Sequence, residues 1–120
     1  MVKFDFDKIK GLEKIYRLNL INSWTGYKSA NLIGSIDKEG NTNLAIFSSI
    51  THLGSDPAMI GFVLRPRTVP RNTYNNIFKN KYFTVNHVFE NDIADAHHTS
   101  AKYPKEVSEF DVTKLEPEFL

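Results

Sequence analysis

The stretch Asn43-Leu44-Ala45-Ile46-Phe47-Ser48-Ser49-Ile50-Thr51 carries the most information about this chain. Leu44, Ile46, Phe47 and Ile50 make an apolar run, yet the run finishes in hydroxyls and continues into Thr51-His52-Leu53-Gly54-Ser55. A matching run, Ala30, Leu32, Ile33 and Ile36, lies upstream. Between the two stands Asp37-Lys38-Glu39-Gly40-Asn41, a turn sequence in which Gly40 is well placed for positive φ. The two runs and their turn predict a hairpin. Small hydroxyls and exposed backbone amides at a strand's end suit a flat, hydrogen-bonding ligand laid against it. Taken alone, the stretch is better read as an edge strand with solvent-facing Ser and Thr.

Working outward, Asp56-Pro57 punctuates the chain, because the residue before proline avoids the α region. Met59-Ile60-Gly61-Phe62-Val63-Leu64 is a continuous apolar run between Pro57 and Pro66, and predicts a strand buried on both faces. The period then changes. Val69, Thr73, Ile77 and Asn80 fall near one face, with Tyr74 and Phe78 beside them, which predicts a short helix with Pro70 in its first turn. Tyr82 to Val88 is β-branched and aromatic, a strand. Asn91 or Asp92 can cap a second helix reaching about Ala101. Glu106 to Asp111 is ambiguous, and Thr113 to Leu120 reads as an extended tail. Toward the N-terminus, Met1 to Leu12 reads as a short strand or helix lying on the core. Leu18, Leu20 and Ile21 follow, and Asn22 to Gly26 reads as a loop. Hairpins dominate, so the sheet should be largely antiparallel. Four or five strands suffice for a partial barrel and hardly close one.

Length and composition are consistent with one globular domain over residues 1–120. Such a chain exposes roughly 6,600 Å² folded against roughly 20,000 Å² unfolded, so a single core can form. The apolar fraction of 41%, with nine Phe, excludes disorder, collagen and low-complexity architectures. Fifteen Lys and Arg against fourteen Asp and Glu leave a net charge of +1, too weak a field to recruit nucleic acid or an anionic membrane. Without cysteine there is no disulfide scaffold, thiolate metal site or cysteine nucleophile. The first thirty residues lack a signal-peptide core, and no apolar run is long enough to span a bilayer. The expected location is cytoplasmic.

A second chemically suggestive stretch is Arg65-Pro66-Arg67-Thr68-Val69-Pro70-Arg71-Asn72-Thr73. Three arginines and two threonines gather where a strand ends and a helix begins. A helix N-terminus offers unpaired amides and the positive end of its dipole. Guanidinium forks and a hydroxyl added to it make a phosphate site. A solvated basic loop is the plainer alternative. The coincidence of strand end, arginines and helix start puts the phosphate reading ahead, although the glycine-rich P-loop is absent.

The third stretch is Ala96-His97-His98-Thr99-Ser100-Ala101-Lys102-Tyr103. Adjacent histidines on a helix point about 100° apart and do not form an i, i+4 zinc pair. A polar helix end and a ligand-edge contact account for this stretch equally well. No nucleophile elbow supports a Ser–His–Asp triad. Trp24 and the phenylalanines suit the core or an interface, and Asn86-His87 a structural role.

Together these stretches resemble the flavin reductase-like family with the FMN-binding split barrel, from about Tyr27 to Asp111. The resemblance rests on Asn43, Ala45 and Ser48, on Asp56-Pro57 leading into Ile60-Gly61-Phe62, and on Arg65-Pro66 and Arg71-Asn72-Thr73. Asn76-Ile77, Phe83-Thr84-Val85-Asn86, Ala96 to Tyr103 and Val107-Ser108-Glu109-Phe110 continue it. It implies a mainly β fold with short helices: a six-stranded, antiparallel Greek-key split barrel working as a homodimer, with FMN near the dimer interface. By carry-over, Asn43 is a marker of the cofactor site, and Ser48, Ser49, Ile50 and Thr51 would line the isoalloxazine. Arg71 and Thr73 would hold the phosphate, with Arg65 or Arg67 assisting. His97, Thr99 and Ser100 would approach the ring edge, with the partner subunit as one source.

The implied activity passes electrons from NAD(P)H through FMN to a small-molecule or protein acceptor. The cofactor carries the chemistry, so no general acid or base is expected. Without GxGxxG, the nicotinamide would not use a Rossmann site. Family members continue for several strands beyond the point matching Leu120, so the barrel is expected to be incomplete at the C-terminus. Open beside the reductase reading stand a non-catalytic FMN-binding or electron-transfer module, a shortened flavin-free remnant with an interaction role, and a pyridoxamine-phosphate-oxidase-like role.

Overall fold

Asp37 organises the turn on which the sheet is built. Its Oδ1 accepts from the backbone N–H of Glu39 at 2.9 Å and of Asn41 at 2.8 Å, and its Oδ2 accepts from the Asn41 amide at 2.9 Å. The side-chain bond from Asn41, then the backbone N–H groups, hold the Asp37 carboxyl below its usual value. Gly40 takes φ +91°, as the turn requires. The strands that leave this turn are β1 (Asn31–Ile36) and β2 (Thr42–Phe47), paired antiparallel from Asn31 opposite Phe47 to Ile36 opposite Thr42. The expected hairpin is present.

The computed structural model describes residues 1, 3–65, 71–104 and 106–119. Its remaining elements are α1 (Phe6–Gly11), α2 (Lys14–Trp24), β3 (Thr51–Ser55), β4 (Ala58–Gly61), α3 (Asn72–Asn80), β5 (Thr84–His87) and α4 (Ile93–His98), with single 3₁₀ turns at Glu90–Asp92 and Glu109–Asp111. One sheet has the order β2-β1-β5 and the other is the β3-β4 pair, both antiparallel.

Strand alternation gives the three-stranded sheet two unlike faces. Leu32, Leu44 and Ile46 share one face by register. Leu32 and Leu44 pack there with Ala96 of α4, flanked by Ile46, Val88, Phe110 and Leu115. Asn31, Ile33, Ser35, Asn43, Ala45 and Phe47 share the other. There the fully buried Ile33 is surrounded by buried polar groups, Asn31, Ser35 and Asn43. Helix α3 lies against this second face and meets it through its own buried polar side chains, Thr73 and Asn76. The edge of β2 is sealed by the turn at Glu109–Asp111: Glu109 Oε2 accepts from the Leu44 N–H at 2.9 Å, and the Thr42 and Ser108 hydroxyls lie 3.2 Å apart.

Several elements differ from the sequence expectation. The run Met59 to Leu64 is not a strand buried on both faces. Its first part is β4, paired with β3, and Met59 and Ile60 are exposed, Ile60 at 55%. The hairpin stands apart from the three-stranded sheet, so nothing among the described residues covers both its faces. Phe62, just after β4, ties it in, its ring edge-on to Phe47 at 5.1 Å and to Phe83 at 5.4 Å. Asn22 to Gly26 is not a loop throughout: α2 runs on to Trp24, and the chain turns only at Gly26, φ +76°. The helix start is set by Glu13, whose carboxylate accepts from the Ile15 and Tyr16 N–H groups and is held below its usual pKa by those bonds.

Asp92 stands at the N-cap of α4 without capping it through its side chain, and the helix stops at His98 rather than near Ala101. The strand expected over Tyr82 to Val88 is shorter, Thr84–His87. The ambiguous Glu106 to Asp111 ends in a 3₁₀ turn closed by a reciprocal Ser108–Asp111 capping box. Met1 to Leu12 resolves into α1, capped by Asp5. The helix after Pro70 is α3, while Pro70 itself, with Pro66, Arg67, Thr68 and Val69, lies outside the described residues. The described strands number five and do not close a barrel.

Candidate functional site

The polar face of the sheet and the start of α3 form the candidate site. Asn43 is buried on β2, and its Nδ2 donates to Thr73 Oγ1 at 2.9 Å. Asn76, one turn on, donates through Nδ2 to Ser35 Oγ at 3.3 Å, and the Asn80 amide donates to the Ile36 carbonyl. Residues 73, 76 and 80 fall on one helical face, so α3 is fastened to the sheet by a stripe of hydrogen bonds. Its axis is thereby fixed with its N-terminus at Arg71 and Thr73.

Arg71 is the N-cap residue, and its side chain does not cap. Its carbonyl accepts the first helical bond, from the Asn75 N–H at 3.1 Å. Its Nε is buried with no hydrogen-bond partner among the described residues. A guanidinium N–H buried and unpaired beside the positive end of a helix dipole is costly unless an acceptor meets it. The acceptor that fits is an anion with oxygens in a fork, such as a phosphate monoester. Thr73 adds a hydroxyl two residues on. On these grounds the residues present fit the phosphate of a flavin mononucleotide.

The expected ring-lining residues follow β2. Ser48 is exposed, Ser49 and Ile50 are half-buried, and Thr51 opens β3 opposite Gly61. Ser49 is engaged: its Oγ accepts from the Val63 N–H at 3.0 Å and lies 3.4 Å from the Val63 carbonyl. It thereby clips the β2–β3 connection to the segment that follows β4. Arg65 is exposed just before the undescribed segment, and Arg67 lies within that segment.

His97, Thr99 and Ser100 are placed elsewhere. Helix α4 packs through Ala96 on the leucine face, opposite the face that carries Asn43 and α3. Thr99 is buried and donates to the Ala96 carbonyl at 2.8 Å, while Ser100 donates to the His97 carbonyl at 2.7 Å. The structure therefore brings Asn43, Arg71 and Thr73 together and sets His97, Thr99 and Ser100 on the far side of the sheet. Ser35 and Asn76 belong to the site's framework but were not among the expected site residues. The signal for Asn76 was its place between Thr73 and Asn80 at helical spacing. Ser35 carried none, because a lone Ser in an apolar strand reads as incidental.

The chain belongs to the family of the flavin reductase like domain, whose model matches residues 27–119. Over its whole length it is similar to the crystal structure of a flavin reductase-like protein with a split barrel domain from Shewanella frigidimarina NCIMB 400. Identity is 47% and the TM-score 0.93, and the match covers 59% of that chain. Over 98% of its length it superposes on nitrilotriacetate monooxygenase component B from Bacillus cereus, with TM-score 0.78, 22% identity and 59% of that chain covered. An uncharacterized protein of Aquifex aeolicus (strain VF5) is 32% identical over 88 residues, which are 72% of this chain and 45% of that protein. The chain thus spans about half the length of the curated relative it matches. The fold is the split barrel of the flavin reductases, present here as its antiparallel sheets and short helices without a closed barrel. No helix among the described residues is long and apolar enough to cross a membrane.

Proposed function

We propose that this chain is the FMN-binding part of an oxidoreductase that takes electrons from NAD(P)H and delivers them to a small-molecule or protein acceptor. The observation that carries the reading is the buried Nε of Arg71 at the N-terminus of α3, without a hydrogen-bond partner among the described residues, with the Thr73 hydroxyl two residues on. Family membership supports a flavin as the ligand. The charge-complementary corner supports the phosphate-bearing FMN.

When bound, FMN supplies the two-electron chemistry that no side chain of this chain provides. The chain's own residues bind and orient. Arg71 and Thr73 hold the phosphate, with Arg65 and Arg67 next to them in sequence. The connection Ser48 to Thr51 offers backbone and hydroxyl groups along the ring, kept in place by the Ser49–Val63 clip. Contacts from the exposed His97 and Ser100 would come from a second copy, because within one chain the sheet stands between them and α3; Thr99, buried with its hydroxyl spent on the Ala96 carbonyl, makes no such contact. A homodimer is therefore part of the reading. It is supported by the exposed apolar side chains of α2, Ile15, Leu18, Ile21 and Trp24, and of the β3–β4 hairpin, Leu53 and Ile60. The reading places the protein in the cytoplasm.

The test is an absorbance spectrum of the purified protein after incubation with FMN and desalting, followed by an assay of NADH and NADPH oxidation. About one flavin retained per chain, with flavin-dependent nicotinamide oxidation, is the expected result. Flavin retained without nicotinamide oxidation would make the chain a carrier, and a colourless protein would overturn the reading.

A further inference from the structure

The resemblance makes Asn43 a marker of the cofactor site. Its geometry supports a different role. The side chain is 7% exposed, and its amide is spent on Thr73. A threonine hydroxyl has one hydrogen to give and lone pairs to receive. Because Asn43 Nδ2 donates to Thr73 Oγ1, the Thr73 hydrogen cannot be the one shared between them. That hydrogen is left for another acceptor, and the helix start at Arg71 is two residues away. The same polarity recurs one turn along, where Asn76 Nδ2 donates to Ser35 Oγ. That second rung fixes the roll of α3 and so the direction in which Thr73 faces.

We infer that Asn43 is a positioning residue: by donating to Thr73 Oγ1 from β2, it commits the Thr73 hydroxyl to donate to the ligand phosphate. The inference rests on the reading of Arg71 and Thr73 as a phosphate corner. It goes further by assigning the selectivity for a phosphorylated over an unphosphorylated flavin in part to a residue that does not touch the ligand. An aspartate at position 43 has the same shape but only accepts. It would draw the Thr73 hydrogen back toward the sheet and leave a lone pair facing the anion.

The experiment titrates FMN and riboflavin into the wild-type chain, Asn43→Asp, Thr73→Val and the double variant, following flavin fluorescence. The readout is the ratio of the two affinities. Loosened packing alone would weaken both flavins together and leave that ratio in place. Wild type should prefer FMN. Asn43→Asp should lower FMN affinity roughly tenfold with riboflavin nearly unchanged, the size of one lost charge-assisted hydrogen bond. In the Thr73→Val background the aspartate should add little, because its effect passes through the hydroxyl. An additive loss in the double variant would show direct charge repulsion and overturn the inference. So would an Asn43→Asp protein that keeps the wild-type preference. A wild type that binds both flavins equally would instead overturn the phosphate corner itself, and the inference with it. Asn43→Ala, which removes the donor without adding charge, serves if the aspartate variant does not fold. It should lower the ratio about threefold on its own and leave it unchanged in the Thr73→Val background.

Discussion

Asn43 Nδ2 and Thr73 Oγ1 meet at 2.9 Å in a buried position, joining residues thirty apart in sequence. This bond couples strand β2 to the first turn of α3, and so couples the stability of the sheet to the geometry of the proposed anion corner. Thr73→Val keeps the shape and leaves the Asn43 amide buried without an acceptor. The variant should be destabilised by about 1–3 kcal/mol, read as a lower urea midpoint with an unchanged slope. Thr73→Ser keeps the oxygen and should lie close to wild type.

Gly34 leaves no free room for a side chain as Thr84 stands. A Cβ built there would lie 2.5 Å from Thr84 Oγ1 on the neighbouring strand β5, an atom that also accepts from Asn86 Nδ2 at 3.0 Å. Turning Thr84 away breaks that bond, and keeping it forces the strands apart. Gly34→Ala should cost about 1–3 kcal/mol in thermal or urea unfolding. Adding Thr84→Ala should recover a good part of the loss.

The Asp37 turn gives a pH dependence of definite sign. Its bonds to Asn41 and Glu39 hold the folded carboxyl below its ordinary value of 3.8. The carboxylate therefore contributes stability that is present above that value and lost as pH falls through the lower folded pKa. Asp37→Ala should be less stable than wild type at pH 7. The difference between the two proteins should narrow as the pH falls from that ordinary value through the lower folded one, as followed by thermal unfolding across a pH series.

Glu109 is the lock on the β2 edge. Its carboxylate accepts from the Leu44 N–H at 2.9 Å, while Phe110 and Leu115 pack against the leucine core nearby. Glu109→Ala leaves that edge N–H without its partner, which should cost about 1–3 kcal/mol. It should also release the segment beyond Val107 to proteases, seen as earlier cleavage in a limited digest of the variant than of wild type.

Much of this was legible in the sequence, and what was not has physical causes. The hairpin around Asp37-Lys38-Glu39-Gly40-Asn41 was readable because turn chemistry is local, and so was the α3 start, where arginines and threonine collect. The exposure of Met59 and Ile60 was not, because an apolar run records what a strand would bury and not whether its cover lies in the same chain. The continuation of α2 through Asn22 and Ser23 was missed because these residues read as loop formers. Ser23 instead donates to the Asn19 and Leu20 carbonyls within the helix. The separation of His97, Thr99 and Ser100 from Thr73 by the thickness of a sheet is a property of topology. No local pattern carries it.

The proposed function stands on Arg71 and Thr73 forming a phosphate corner for a flavin. The most direct test is a titration of wild type and Arg71→Ala with FMN, with riboflavin run beside it. Arg71→Ala should lower FMN affinity roughly ten- to hundredfold, as loss of a charge-assisted contact does, and leave riboflavin binding almost unchanged. FMN affinity unchanged in Arg71→Ala would contradict it.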